Sequence, residues 1–86
     1  MSEQEQWLIV DDDQAFLQVL SRSLARQGIE AITASNHDSA LDALDAHNIR
    51  RCVLDLNLAG ESGLQLLPEL LDTNPDLDVL VLTGSG

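Results

Sequence analysis

Eighty-six residues make one small domain, and a chain of this size buries only a little over about 60% of its unfolded surface. Fifteen acids against four arginines and no lysine give a net charge of −11, which excludes a nucleic-acid surface, an anionic membrane and direct phosphate capture without a metal. No apolar run approaches the ~20 residues of a membrane span, and Ser2-Glu3-Gln4-Glu5-Gln6 is unlike a signal peptide. With Cys52 as the single cysteine, set in an apolar run as a buried thiol, the expected location is a reducing cytoplasm.

Residues 7–10 read as a first strand, with Leu8-Ile9-Val10 running into Asp11-Asp12-Asp13. From residue 14 to about 27, Phe16, Leu17, Leu20 and Leu24 recur at helical spacing, and Gly28 stands where a helix-ending glycine belongs. Residues 29–33 form a short second strand. Asn36 can cap a second helix that turns Ala40, Leu41 and Leu44 inward. Residues 51–54 make a third strand that runs into Asp55, followed by a loop with Gly60 and Gly63. Leu64, Leu67, Leu70 and Leu71 mark a third helix that Asn74-Pro75 ends. Pro68 requires that this helix begin late or bend, because proline removes a backbone donor and clashes with the preceding turn. Residues 78–82 are the fourth strand, which runs into Thr83.

Strand and helix alternating three times before a final strand predict an α/β fold, a doubly wound parallel sheet with right-handed crossovers. A sheet of that kind normally continues past a fourth strand, so the chain reads as part of a domain. Ligands of such sheets bind outside the carboxyl ends of the strands. Asp11, Asp12, Asp55 and Thr83 would therefore meet at one rim.

Adjacent carboxylates repel unless a cation or a proton lies between them. Magnesium favours one or two carboxylates, several waters and a phosphate oxygen, so Asp11 and Asp12 suit a magnesium site completed by Asp55. Asp13 reads instead as the cap of the first helix. Asp55 is either a metal ligand alone or a nucleophile that takes a phosphoryl group onto its carboxylate. Trp7 reads as a packing residue, and His37 and His47 as solvent-exposed side chains.

Val10-Asp11-Asp12, the strand and loop around Asp55, and Val81-Leu82-Thr83 resemble the receiver domain of bacterial two-component response regulators, in order and spacing, over residues 7–86. The stretch from Asp55 to Leu64 is similar to the redox-responsive PrrA/RegA type, with Leu58-Ala59 in place of the usual Met-Pro pair. The resemblance implies a flavodoxin-like receiver fold of strand order 2-1-3-4, without the last helix–strand–helix portion, behind a tail of residues 1–6. It implies that Asp55 accepts a phosphoryl group from a sensor histidine kinase. Asp11, Asp12, Asp55 and the backbone carbonyl of Asn57 would hold Mg2+, and Thr83 would be the switch hydroxyl. The Asn57 side chain would orient the water that removes the phosphate. The family's lysine at the end of a fifth strand has no counterpart here, so weakened magnesium binding, poor phosphorylation and no normal switching are expected. An open fourth-strand edge predicts a homodimer.

Two other readings compete. A haloacid-dehalogenase-type phosphatase would use Asp11 and Asp13, with Thr83-Gly84 as its second motif, although Gln14-Ala15 departs from that pattern and Asp55 is left without a task. A docking module that never takes phosphate would need none of the acids.

Overall fold

The computed structural model describes residues 4–58 and 61–82. In chain order the elements are β1 (Glu5–Val10), α1 (Gln14–Arg26), β2 (Ile29–Ala34), α2 (His37–Ala46) and β3 (Ile49–Asp55). A small pair, β4 (Asn57–Leu58) and β5 (Glu61–Ser62), then leads into α3 (Gly63–Thr73) and β6 (Asp78–Leu82). The four long strands form one parallel sheet in the order β2-β1-β3-β6. With β6 fourth among them, this is the expected doubly wound receiver order.

The central strands are apolar on both faces because helices cover both. On one face Leu8, Val10, Cys52 and Leu54 pack with Ala40 and Leu44 of α2 and with Leu66 and Leu70 of α3. On the other, Ile9 and Val53 meet Leu17 and Leu24 of α1, with Trp7 and Leu82 alongside. Cys52 has no solvent exposure, and burial pushes its thiol up to about 12. Burying Leu8, Ile9 and Leu54 contributes roughly 1.5–3 kcal/mol each, which makes the middle of the sheet the rigid part of the molecule.

Each helix is delimited by local chemistry. Asp13 caps α1, its Oδ1 accepting the Phe16 N–H at 3.2 Å. Gly28 takes a φ of 81° just past the α1 terminus, a conformation that costs little only without a Cβ. Asn36 and Ser39 cap α2 reciprocally, Asn36 Oδ1 accepting from Ser39 N–H at 2.8 Å and Ser39 Oγ from Asn36 N–H at 3.2 Å. Asn74 closes α3 with a bond from its N–H to Leu70 O at 2.9 Å.

Several expectations need correction. β1 begins at Glu5, two residues early, so Glu5 and Gln6 belong to the sheet and not to a tail. Pairing with β1 extends β3 back to Ile49, and pairing with β6 carries it forward to Asp55. α3 does not begin late: it starts at Gly63 and runs through Pro68. The lost Pro68 donor would have served Leu64 O in the first turn, and both residues face solvent there. The loop after Asp55 contains the antiparallel pair Asn57↔Ser62 and Leu58↔Glu61. His47 is exposed as expected, but His37 is half-buried, its Nδ1 4.0 Å from Glu69 Oε2 on α3.

Candidate functional site

β1 and β3 are adjacent, and Val10 is paired with Leu54. The residues that follow these partners, Asp11 and Asp55, therefore emerge side by side at the carboxyl rim of the sheet. One carboxylate oxygen from each of Asp11, Asp12 and Asp55 lies within 4.8 Å of the other two. Two oxygens on opposite sides of a hexacoordinate magnesium ion stand about 4.2 Å apart. The observed spread therefore matches one small cation after a slight inward movement.

The three acids differ in setting. Asp11 is buried, Asp55 half-buried and Asp12 exposed. Asp11 is held in place twice: its N–H donates to Ala34 O at 3.0 Å, and its Oδ1 accepts the Asp13 N–H at 2.9 Å. Burial raises its pKa above the ordinary 3.8, a rise that the Asp13 N–H partly offsets and that the charges of Asp55, Asp12 and Asp13 reinforce. All three neighbouring charges have the same sign as its own. Of the four arginines, Arg22 and Arg26 lie on α1, while Arg50 and Arg51 stand at the opposite end of β3. A donor set of hard carboxylate oxygens, crowded and partly buried, fits magnesium or calcium and not a softer metal.

The remaining candidates divide. Asn57 lies in β4, so its backbone is fixed opposite Ser62, two residues past Asp55. Thr83 lies outside the described residues, as does the Thr83-Gly84 motif of the phosphatase reading. Asp13 is engaged at the α1 terminus, whereas Asp55, idle in that reading, joins the acidic group. The arrangement disfavours the phosphatase.

Gly63 was absent from the candidate residues. Its N–H donates to Leu56 O at 3.1 Å, which brings the start of α3 directly against the end of β3. A glycine immediately before an apolar helical run was the available signal.

Comparison with known proteins agrees with this geometry. The family model described as response regulator receiver domain matches residues 7–86. The photosynthetic apparatus regulatory protein RegA of Rhodovulum sulfidophilum is 34% identical over 79 residues, covering 92% of this chain and 43% of that protein. The chain therefore spans less than half the length of this curated relative. A response regulator from Burkholderia pseudomallei, solved with a phosphorylated aspartic acid, a calcium ion and citrate, superposes with a TM-score of 0.89 at 38% identity. That match covers 95% of this chain and 48% of the solved one. TrrA of Thermotoga maritima, solved with Mg2+ and BeF, superposes with a TM-score of 0.84 at 29% identity, covering 95% of this chain and 71% of its own. TrrA has also been solved in complex with the histidine kinase ThkA.

Proposed function

The chain belongs to the response regulator receiver family, and from that premise we propose that Asp55 accepts a phosphoryl group from a sensor histidine kinase in a magnesium-dependent step. The observation that carries this reading is the 4.8 Å grouping of Asp11, Asp12 and Asp55. A magnesium ion held by these acids and the backbone carbonyl of Asn57 would neutralise charge on the incoming phosphoryl oxygens.

In the transfer, one Asp55 oxygen attacks phosphorus while the bond from phosphorus to the kinase histidine nitrogen breaks. The departing imidazole keeps the electron pair, and Asp55 becomes an acyl phosphate. β3 fixes the backbone of the nucleophile, so little positional freedom is lost on reaction. Asp11 draws its position from its bonds to Ala34 and Asp13, which keeps a second carboxylate aimed at the same place. Thr83 is proposed as the hydroxyl that bonds the acyl phosphate and relays its presence, and Asn57 as the residue that orients the hydrolytic water. An unchanged phosphoryl lifetime in Asn57→Ala would remove that role.

TrrA bound to ThkA supports a kinase as partner. Among the described residues no helix is long and apolar enough to cross a membrane, and a cytoplasmic site of action is proposed on that basis and the kinase chemistry. A second copy of this chain is the other proposed partner: Leu80 on β6 is 54% exposed at the edge of the described sheet, and apolar edges associate. Light scattering should then report a dimer that Leu80→Glu dissociates.

Treatment with acetyl phosphate and Mg2+, followed by intact-mass spectrometry, tests the central reading. The expected result is one added phosphoryl group on a minor fraction of molecules, lost in Asp55→Asn and on chelation of the metal. Equal labelling of Asp55→Asn would overturn it.

A further inference from the structure

The backbone around Asp55 is gripped from two directions. On one side β3 pairs with β6, Asp55 opposite Leu82, and Leu56 N–H donates to Leu82 O at 3.3 Å. On the other side Gly63 N–H donates to Leu56 O. Gly63 itself is buried. A Cβ on Gly63 would stand 2.3 Å from Asp55 O, 2.8 Å from Leu56 Cα and 3.1 Å from Asp55 C. All three are backbone atoms, so no flexible side-chain end can swing away to make room.

Conformation is not the reason for a glycine here, since Gly28 is the glycine of positive φ among the described residues. The requirement is space against the acceptor's own peptide. We infer that Gly63 is a positioning residue for Asp55: the missing side chain at the start of α3 lets the helix seat against the Asp55–Leu56 peptide and set where the carboxylate points. The inference rests on the proposed magnesium-dependent acceptor and adds a residue to it.

A side chain at position 63 must displace either α3 or the end of β3. α3 is anchored by Leu66 and Leu70, both fully buried in the core. Pulling these out of a close-packed interior is costly, so much of the displacement falls on the Asp55–Leu56 peptide. The three carboxylate oxygens, within 4.8 Å of one another, already need a slight inward movement to share one ion. Displacing Asp55 by even a fraction of an ångström therefore acts on the ion first. Loss of metal affinity follows before loss of the fold.

The test titrates Mg2+ by calorimetry into the 86-residue chain and its Gly63→Ala and Gly28→Ala variants, with trimethylamine oxide present to hold each variant folded. Gly28→Ala is the control: its Cβ meets nothing within 4 Å, its cost is conformational, and its effect on Kd should stay within about twofold. Gly63→Ala should raise the Kd for Mg2+ by about tenfold or more, with acetyl phosphate labelling falling in step. A Gly63→Ala chain that binds Mg2+ like the parent would overturn the inference. So would a chain that remains unfolded in the osmolyte, because the glycine would then serve the fold as a whole. Absence of Mg2+ binding by the parent chain would instead overturn the proposed function, which keeps the two failures apart.

Discussion

The two ends of the sheet handle charge in opposite ways. At the amino end, Trp7, Arg51 and Asp78 lie in register across three strands. Arg51 Nη2 is 2.9 Å from Asp78 Oδ2, Arg51 Nε is 3.0 Å from the same oxygen, and the guanidinium carbon lies 4.8 Å from the centre of the Trp7 ring. The Trp7 indole N–H donates in turn to the Glu5 carboxylate. Opposite charges are matched there and stand largely in solvent. At the carboxyl end, Asp11, Asp12 and Asp55 crowd together with like charge, and one of them is buried. Matched surface charges contribute little to stability, whereas crowded like charges subtract from it. Crowding of that kind is what a bound cation would relieve, so the unfavourable end is the informative one.

Metal binding should give the largest difference between the two ends. Magnesium at about one hundred times its Kd should raise unfolding free energy by about 2.7 kcal/mol, measured by urea unfolding. Asp12→Ala should remove most of that increment, while Arg51→Ala should leave it intact. Equal magnesium stabilisation of parent and Asp12→Ala would show that the ion binds elsewhere.

Next in size is the effect of removing the buried Asp11 charge. The folded-state pKa of Asp11 is raised above 3.8, chiefly by burial. Its contribution to stability is therefore fully present below the unfolded value and is lost as pH rises through the folded value. Without metal, Asp11→Asn should accordingly raise the Tm by a few degrees at neutral pH. The gain should shrink as pH falls through the Asp11 titration and vanish below 3.8, as thermal melts across that range would reveal. A gain that persisted into acid would assign the effect to packing.

The smallest change belongs to the amino end. Arg51 and Asp78 side chains are 42% and 65% exposed, so Arg51→Ala should cost no more than about 1 kcal/mol, with much of that from the lost contact over Trp7. Trp7 fluorescence should shift in the same variant. A loss of several kcal/mol would contradict the contrast between the two ends.

Much of this was legible in the sequence, for identifiable reasons. Leu8-Ile9-Val10 and Cys52-Val53-Leu54 are unbroken apolar runs because both faces of their strands are covered, and each terminates on an acid. Asn36 and Asp13 announced the starts of α2 and α1 through hydrogen bonds made within four residues. What escaped depends on partners distant in sequence. The polar residues Glu5 and Gln6 carry no strand signal of their own, and pairing with neighbouring strands brings them into the sheet. Asn57-Leu58 is too short to show periodicity and is defined only by Glu61-Ser62 opposite it. His37 looked solvent-facing because Glu69, thirty-two residues on, supplies its neighbour from α3. Gly63 read as a loop residue, since a close approach of two backbones leaves no mark beyond the glycine itself.

The fully enclosed Cys52, with its thiol pushed up to about 12, gives the molecule a built-in clock. Alkylating reagents attack thiolate and need access, so the intact molecule is inert to them, and each modified molecule records an excursion that uncovered the face of β3 beneath α2 and α3. The rate of mass gain from iodoacetamide thus counts openings of the sheet's centre, with no label added and no residue replaced.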